Sequence, residues 1–253
     1  MIDIHAHILP GIDDGARDIF DTMEMAQMAV NSGVSAIVAT PHCNIPGMFR
    51  NFFAEDYIHI YEGAVKVIQD ERIPLKLLPG MEVYGTHDLP DLLVDKKIMP
   101  INQSRYVLIE FAFDEDPGFV TDLLNRVHAV GAKPIVAHPE RYEFVQENPN
   151  LVYEWRTLGY YTQINKGSFV GRFGKRARDT AYQLLNHNMV TVIASDAHSP
   201  YHRTTVMMDA YEELRNSCTR QQLAVLFHEN PARICNNQLL MTQKPLRILE
   251  NER

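Results

Sequence analysis

The chain has 253 residues, 45% hydrophobic and 22% charged, enough for one sizeable core and of a length that an α/β barrel commonly reaches as a single domain. A net charge of −8 argues against a nucleic-acid-binding face, and no apolar run approaches the ~20 residues of a membrane span. His5 follows Met1 too closely for a signal peptide, and three widely spaced cysteines (Cys43, Cys218 and Cys235) suit reduced thiols, so a cytoplasmic protein without membrane insertion is expected.

The first predicted element is an apolar strand over 2–5 that runs into His5-Ala-His7. Side chains at i and i+2 of a strand share a side, so His5 and His7 can aim at one point beyond its C-terminal end. The Gly-rich loop 10–15 leads to a helix over 18–32, apolar at Ile19, Met23, Ala26 and Val30, with Gly33 as its stop. A second strand over 36–40 ends in Pro41-His42. A helix follows over 55–69, with Ile58, Tyr61, Val65 and Ile68 predicted on one face. Residues 75–84 read as a third strand carrying Glu82, and 106–111 as a fourth carrying Glu110.

A helix over 119–130 stops at Gly131, and the fifth strand, 134–138, ends in His138. Asn148-Pro149 reads as an N-cap with Pro at the first helical position, and Gly159 closes that helix. The sixth strand covers 160–164. A helix over 174–187 precedes the seventh strand, 190–195, which runs into Asp196-Ala197-His198. Thr219 and Gln222 form a capping box for a C-terminal helix. Strands alternating with helices predict a parallel sheet, most simply a distorted (β/α)7 TIM-like barrel in one domain over 1–253; no Gly-x-Gly-x-x-Gly supports a doubly wound alternative.

Barrel enzymes draw catalytic residues from the C-terminal ends of several strands. Here His5, His7, His42, Glu82, Glu110, His138, Asp196 and His198 occupy six of the seven predicted strand ends, and Asp14 joins from the first loop. Each has a dull explanation alone, but buried together without a counter-charge the carboxylates would cost several kcal/mol each. Divalent cations remove that cost, and nine ligands suit two or three of them. Four carboxylates contribute about −4, a hydroxide about −1 and three divalent ions roughly +6, leaving a positive site suited to an anionic substrate. Mixed nitrogen and oxygen donors without thiolate suit manganese, iron or zinc, among which the sequence does not choose.

The same residues carry a family likeness. Met-Ile-Asp-Ile-His-Ala-His-Ile-Leu-Pro-Gly-Ile-Asp-Asp-Gly, Gly-Met-Glu-Val-Tyr, Tyr-Val-Leu-Ile-Glu-Phe, Ala-His-Pro-Glu-Arg-Tyr and Ala-Ser-Asp-Ala-His resemble the polymerase-and-histidinol-phosphatase (PHP) superfamily. Within it they are similar to the bacterial tyrosine-protein phosphatases of capsule and exopolysaccharide operons (CpsB/CapC type), from Met1 to about Asn230-Pro231. The resemblance implies a three-metal centre: His5, His7, Glu82 and Asp196 on one ion; Glu82, Glu110 and His138 on a second; Asp14, His42 and His198 on a third. It implies Arg141 and Arg203 as phosphate contacts, and metal-assisted in-line hydrolysis of phosphotyrosine. The implied partner is a phosphotyrosine protein, an autophosphorylating bacterial tyrosine kinase. The alternative within the superfamily is a small phosphomonoester such as histidinol phosphate.

One motif is discounted. His42-Cys43…Arg50 is superficially similar to the His-Cys-x5-Arg loop of cysteine-dependent phosphatases, but six residues separate Cys43 from Arg50. A loop that must close round one phosphate does not tolerate that spacing.

Overall fold

A computed structural model describes residues 1–249. Its strands, among the described residues, are β1 (Ile2–Ala6), β2 (Ala36–Ala39), β3 (His42–Cys43), β4 (Lys76–Pro79), β5 (Glu82–Tyr84), β6 (Tyr106–Glu110), β7 (Lys133–Ala137), β8 (Tyr161–Asn165) and β9 (Val192–Ala194). All neighbours pair in parallel, in two sheets ordered β1-β2-β4 and β3-β5-β6-β7-β8-β9. Hydrogen bonds beyond the ladders join β9 back to β1. Asp196 N donates to the His5 carbonyl and His7 N to the Ala197 carbonyl, each at 2.8 Å, while Ser195 N donates to Asp3 Oδ1 at 3.0 Å. The result is a closed barrel of seven strands, two of them broken in the middle.

Those breaks correct the sequence reading, in which 75–84 is one strand. Its halves, β4 and β5, lie in different sheets on either side of Gly80. A Cβ at Gly80 would meet Val38 Cγ1 at 2.6 Å, so only glycine allows the two strands this close. The buried Tyr57 hydroxyl accepts from Gly80 N and donates to Gly80 O, replacing the lost ladder bonds at 3.1 and 3.0 Å. The second strand breaks in step, between β2 and β3 at Pro41, which has no N–H to give. Above the break Glu82 N bonds the Pro41 carbonyl at 3.1 Å, and β3 pairs with β5.

Side chains alternate across the barrel wall. Ala36, Val38, Leu78, Tyr106, Leu108, Ile135, Val192 and Ala194 fill the lower interior, while Ile37, Leu77, Val107, Ile109, Val136 and Ile193 face the helical layer. Continuing the inward rows in steps of two residues reaches the site: Val38-Thr40-His42, Leu78-Gly80-Glu82 and Leu108-Glu110; Asp196, two residues past Ala194, reaches it with a left-handed backbone (φ 51°). A strand that is apolar below and ionisable above therefore needs no change of period. His138 is off its row, because Ile135 and Ala137 occupy the inner cluster. It adopts a left-handed backbone (φ 33°), which redirects its imidazole. His5 and His7 are brought in by a register slip of β1 against β2 between Asp3 and Ala6.

The outer helices follow the predicted spans closely. Ile19–Asn31 buries Met25, Ala26 and Ala29, Pro117–Ala129 buries Leu123, Leu124 and Val127, and Gly174–Asn186 buries Ala181 and Leu184. Gly33, Gly131 and Gly159 end their helices at positive φ, and both halves of the Thr219–Gln222 capping box form. Two details differ from the sequence reading. In Glu55–Asp70 the buried residues are Tyr57, Ala64 and Ile68, and Ile58 faces solvent, because Tyr57 is drawn to Gly80. The helix after Pro149 begins at Asn150, preceded by a short helix over Glu143–Glu147.

Candidate metal centre

Glu82 lies at the centre and is fully buried. Its two oxygens divide four imidazoles between them. Oε1 lies 3.2 Å from His5 Nε2 and 2.9 Å from His138 Nε2. Oε2 lies 3.2 Å from His7 Nε2 and 3.2 Å from His42 Nδ1. Around it, three groups of possible ligand atoms each fall within 4.8 Å: His5, His7, Glu82 and Asp196; His42, Glu82 and Glu110; His7, Asp14, His42 and His198. They are chained, sharing His7, Glu82 and His42, as expected of neighbouring ions rather than separate sites.

All nine expected ligands thus reach one end of the barrel. Glu110 lies against His42, whose Nδ1 is 2.8 Å from Glu110 Oε1. His138 lies on the other side of Glu82, stacked on His5 with ring centroids 5.8 Å apart.

Asp13, which the sequence reading passed over for Asp14, sets the first imidazole. Its Oδ2 is 2.7 Å from His7 Nδ1 and accepts from His42 N at 2.9 Å, while Oδ1 accepts from Gly15 N at 3.0 Å. A Cβ at Gly15 would lie 2.2 Å from the His7 carbonyl oxygen, so glycine lets the loop fold over His7. Gln163 and Asn165 were missed too. Gln163 Oε1 is 2.9 Å from His5 Nδ1, Gln163 Nε2 donates to Asn165 Oδ1 at 2.8 Å, and Asn165 Nδ2 donates to Asp196 Oδ2 at 2.5 Å. Their signal was available: two amides at alternate positions of β8, the one strand end without a histidine or carboxylate. Holding Nδ1 of His5, His7 and His198 (whose Nδ1 is 3.1 Å from the Asp196 carbonyl) leaves each Nε2 as the donor atom for a cation.

The electrostatics fit cations. Burial works against the Glu82 carboxylate, but the charge on His5 and the hydrogen bond of His138 hold its pKa well below the usual range. Burial and the neighbouring Glu82 charge raise Glu110. Burial opposes protonation of His5 and His7, yet both are raised, by Glu82 and Asp196 and by Asp13 respectively; burial and His7 push His198 down to about 2. Glu82 Oε2, Glu110 Oε1, Asp196 Oδ1, His42 Nδ1 and His138 Nδ1 are buried without a well-formed hydrogen bond. Orphaned oxygen and nitrogen lone pairs at this density are a donor set for divalent metal, which would replace the protons these groups otherwise share.

Both expected arginines border the cluster. Arg141 Nη1 is 3.4 Å from Asp196 Oδ2; Arg203 Nη2 pairs with the same oxygen and its Nε donates to the Asp196 carbonyl at 3.1 Å. Arg141 is stacked between Phe113 and Phe173, at 4.8 and 4.3 Å from the ring centroids.

Cys43 is fully buried, which pushes its thiol up to about 12, and its Sγ contacts the Arg50 carbonyl at 3.4 Å. A thiol that stays protonated is a poor nucleophile. Cys43→Ser is expected to retain most phosphatase activity, with thiol alkylation at pH 8 leaving the rate of the native protein unchanged. An inactive but folded and metal-loaded Cys43→Ser protein would contradict this.

A closed parallel barrel with a chained carboxylate–imidazole cluster at its C-terminal strand ends defines a barrel hydrolase of the metal-using class. The chain belongs to the CpsB/CapC family of capsular polysaccharide synthesis, whose family model matches residues 1–236. It is 36% identical over 248 residues to the tyrosine-protein phosphatase YwqE of Bacillus subtilis, covering 97% of this chain and 95% of that protein. It is 33% identical over 248 residues to the tyrosine-protein phosphatase CpsB of Streptococcus pneumoniae, covering 95% and 100%. A crystal structure from a study of YwqE and CpsB, described as unique metal-dependent tyrosine phosphatases, superposes with a TM-score of 0.92 at 34% identity, covering 99% of this chain and 100% of that one. The lactonase Lmo2620 of Listeria monocytogenes, at TM-score 0.60 and 11% identity over 94% of this chain and 95% of its own, shares the fold alone.

Proposed function

We propose that this chain is a metal-dependent protein-tyrosine phosphatase of capsular polysaccharide synthesis. The observation that carries the reading is the juxtaposition of two guanidiniums, Arg141 and Arg203, with one oxygen of Asp196 at the edge of the carboxylate–imidazole cluster. It agrees with the activity named for YwqE and CpsB. Two or three divalent ions, manganese before iron or zinc, would be held by His5, His7, Asp14, His42, Glu82, Glu110, His138, Asp196 and His198. Such ions supply Lewis acidity and an activated water for phosphomonoester hydrolysis.

The residues of the chain do the rest. Arg141 and Arg203 each present a planar fork that fits two phosphoryl oxygens and favours the charge that builds on them during transfer. Asp13 and Gln163 keep His7 and His5 in the tautomer and orientation that direct Nε2 at the cluster. The leaving group is a phenolate of pKa ~10, which departs with less help from an acid than an alkoxide does. The substrate is the phosphotyrosine of an autophosphorylating bacterial tyrosine kinase. The reaction is assigned to the cytoplasm, where such kinases find ATP; no helix of the described residues is long and apolar enough to cross a membrane.

The test compares turnover of a phosphotyrosine peptide, histidinol phosphate and a phosphodiester by one metal-loaded preparation, before and after chelation. The peptide is expected to be hydrolysed best, with activity abolished by the chelator and restored by divalent metal. Preference for histidinol phosphate would return the chain to the small-molecule alternative.

A further inference from the structure

A cavity of about 320 Å³ opens beside Arg141, lined also by Phe113, Glu143, Gln146, Phe173 and Arg176. The rings that clamp Arg141 are part of its wall, and Phe113 is 46% exposed there. Resting on the phosphotyrosine reading, a phosphoryl group taken by Arg141 would bring the phenyl ring and its flanking residues to this wall. Apolar aromatic walls beside a phosphate-binding fork suit an aryl ester.

The charges around the cavity single out one residue. The stretch 166–178 holds five cations and no carboxylate. Lys166 pairs with Asp209 at 2.8 Å, Lys175 with Asp179 at 2.6 Å and Arg178 with Glu213 at 3.2 Å, while Arg172 donates to the His202 carbonyl. Arg176 is exposed and makes no ion pair or hydrogen bond with the described residues. It is the uncommitted cation of the stretch, and it lines the cavity that begins at Arg141. Glu143, the cavity's carboxylate, is also exposed and has no ion pair with it.

We propose that this cavity is a docking groove for the peptide flanking the phosphotyrosine, and that Arg176 selects an acidic side chain there against the opposing charge of Glu143. Because the contact is solvent-exposed, its effect is modest and fades with salt.

The experiment measures kcat/KM at low ionic strength for two phosphotyrosine peptides, one with glutamates flanking the phosphotyrosine and one with lysines. The ratio is taken within one preparation, so the fraction of folded, metal-loaded protein cancels. The native protein is expected to favour the acidic peptide by about fivefold, falling towards unity in high salt. Arg176→Glu should invert the ratio and Glu143→Gln should raise it. A native ratio of unity, or one that Arg176→Glu leaves unchanged, overturns the groove. Failure of the native protein to hydrolyse either peptide overturns instead the phosphatase reading on which it rests.

Discussion

Glu82→Gln is expected to lose bound metal together with more than ~10³-fold in turnover while remaining folded. The argument rests on the division of labour between its two oxygens. Oε1 faces His5 and His138, Oε2 faces His7 and His42, and all four contacts lie between 2.9 and 3.2 Å. The amide keeps the volume, so no cavity opens in the barrel. It removes the charge, and turns one of the two acceptors into an N–H2 that points at imidazole nitrogens. Glu110 is seen only with His42, and Asp196 reaches His5, His7 and His198 at 3.4–3.6 Å, while Glu82 alone lies against His5, His7, His42 and His138 together. Elemental analysis of the purified variant beside its phosphotyrosine-peptide kinetics tests this. Full metal content in Glu82→Gln would mean that Glu82 bridges nothing.

Arg141→Ala is expected to behave in the opposite way, keeping fold and metal and losing ~10²-fold or more in kcat/KM. Arg141 lies at the rim, its side chain 19% exposed, and its one polar contact with the cluster is long at 3.4 Å. It is not committed to a neighbouring acid. Glu140 is buried away from it, accepting from Ser168 Oγ at 2.6 Å and Asn165 N at 3.0 Å, with its carboxyl pushed up to about 7 by burial. Arg141→Lys should recover little, because an ammonium neither stacks flat between Phe113 and Phe173 nor offers two parallel N–H donors. Metal content and peptide kinetics measured together decide the matter. Normal kinetics would remove Arg141 from the reaction, and lost metal would make it a structural support of His138.

Much of this site was legible because it depends on local period. A strand that points alternate residues inward carries its parity past the last apolar residue, so Leu108 implies Glu110 on the same side. His-x-His at a strand end, the helix stops at Gly33, Gly131 and Gly159, and the off-by-one spacing of Cys43 and Arg50 are likewise properties of a few consecutive residues. Tertiary structure decided what parity cannot. The break of the third strand at Gly80 follows from Val38 and Tyr57, far away in sequence, and it is this break that moves Glu82 into the six-stranded sheet beside His42. His138 left its row through a left-handed backbone, so its place against Glu82 could not be counted off the strand. Asp13, Gln163 and Asn165 carry no metal-ligand signature of their own; each matters only because barrel closure sets its oxygen or amide against a group on another strand or loop. The chain order alone listed the donors, and the closed barrel alone determined which of them share an oxygen.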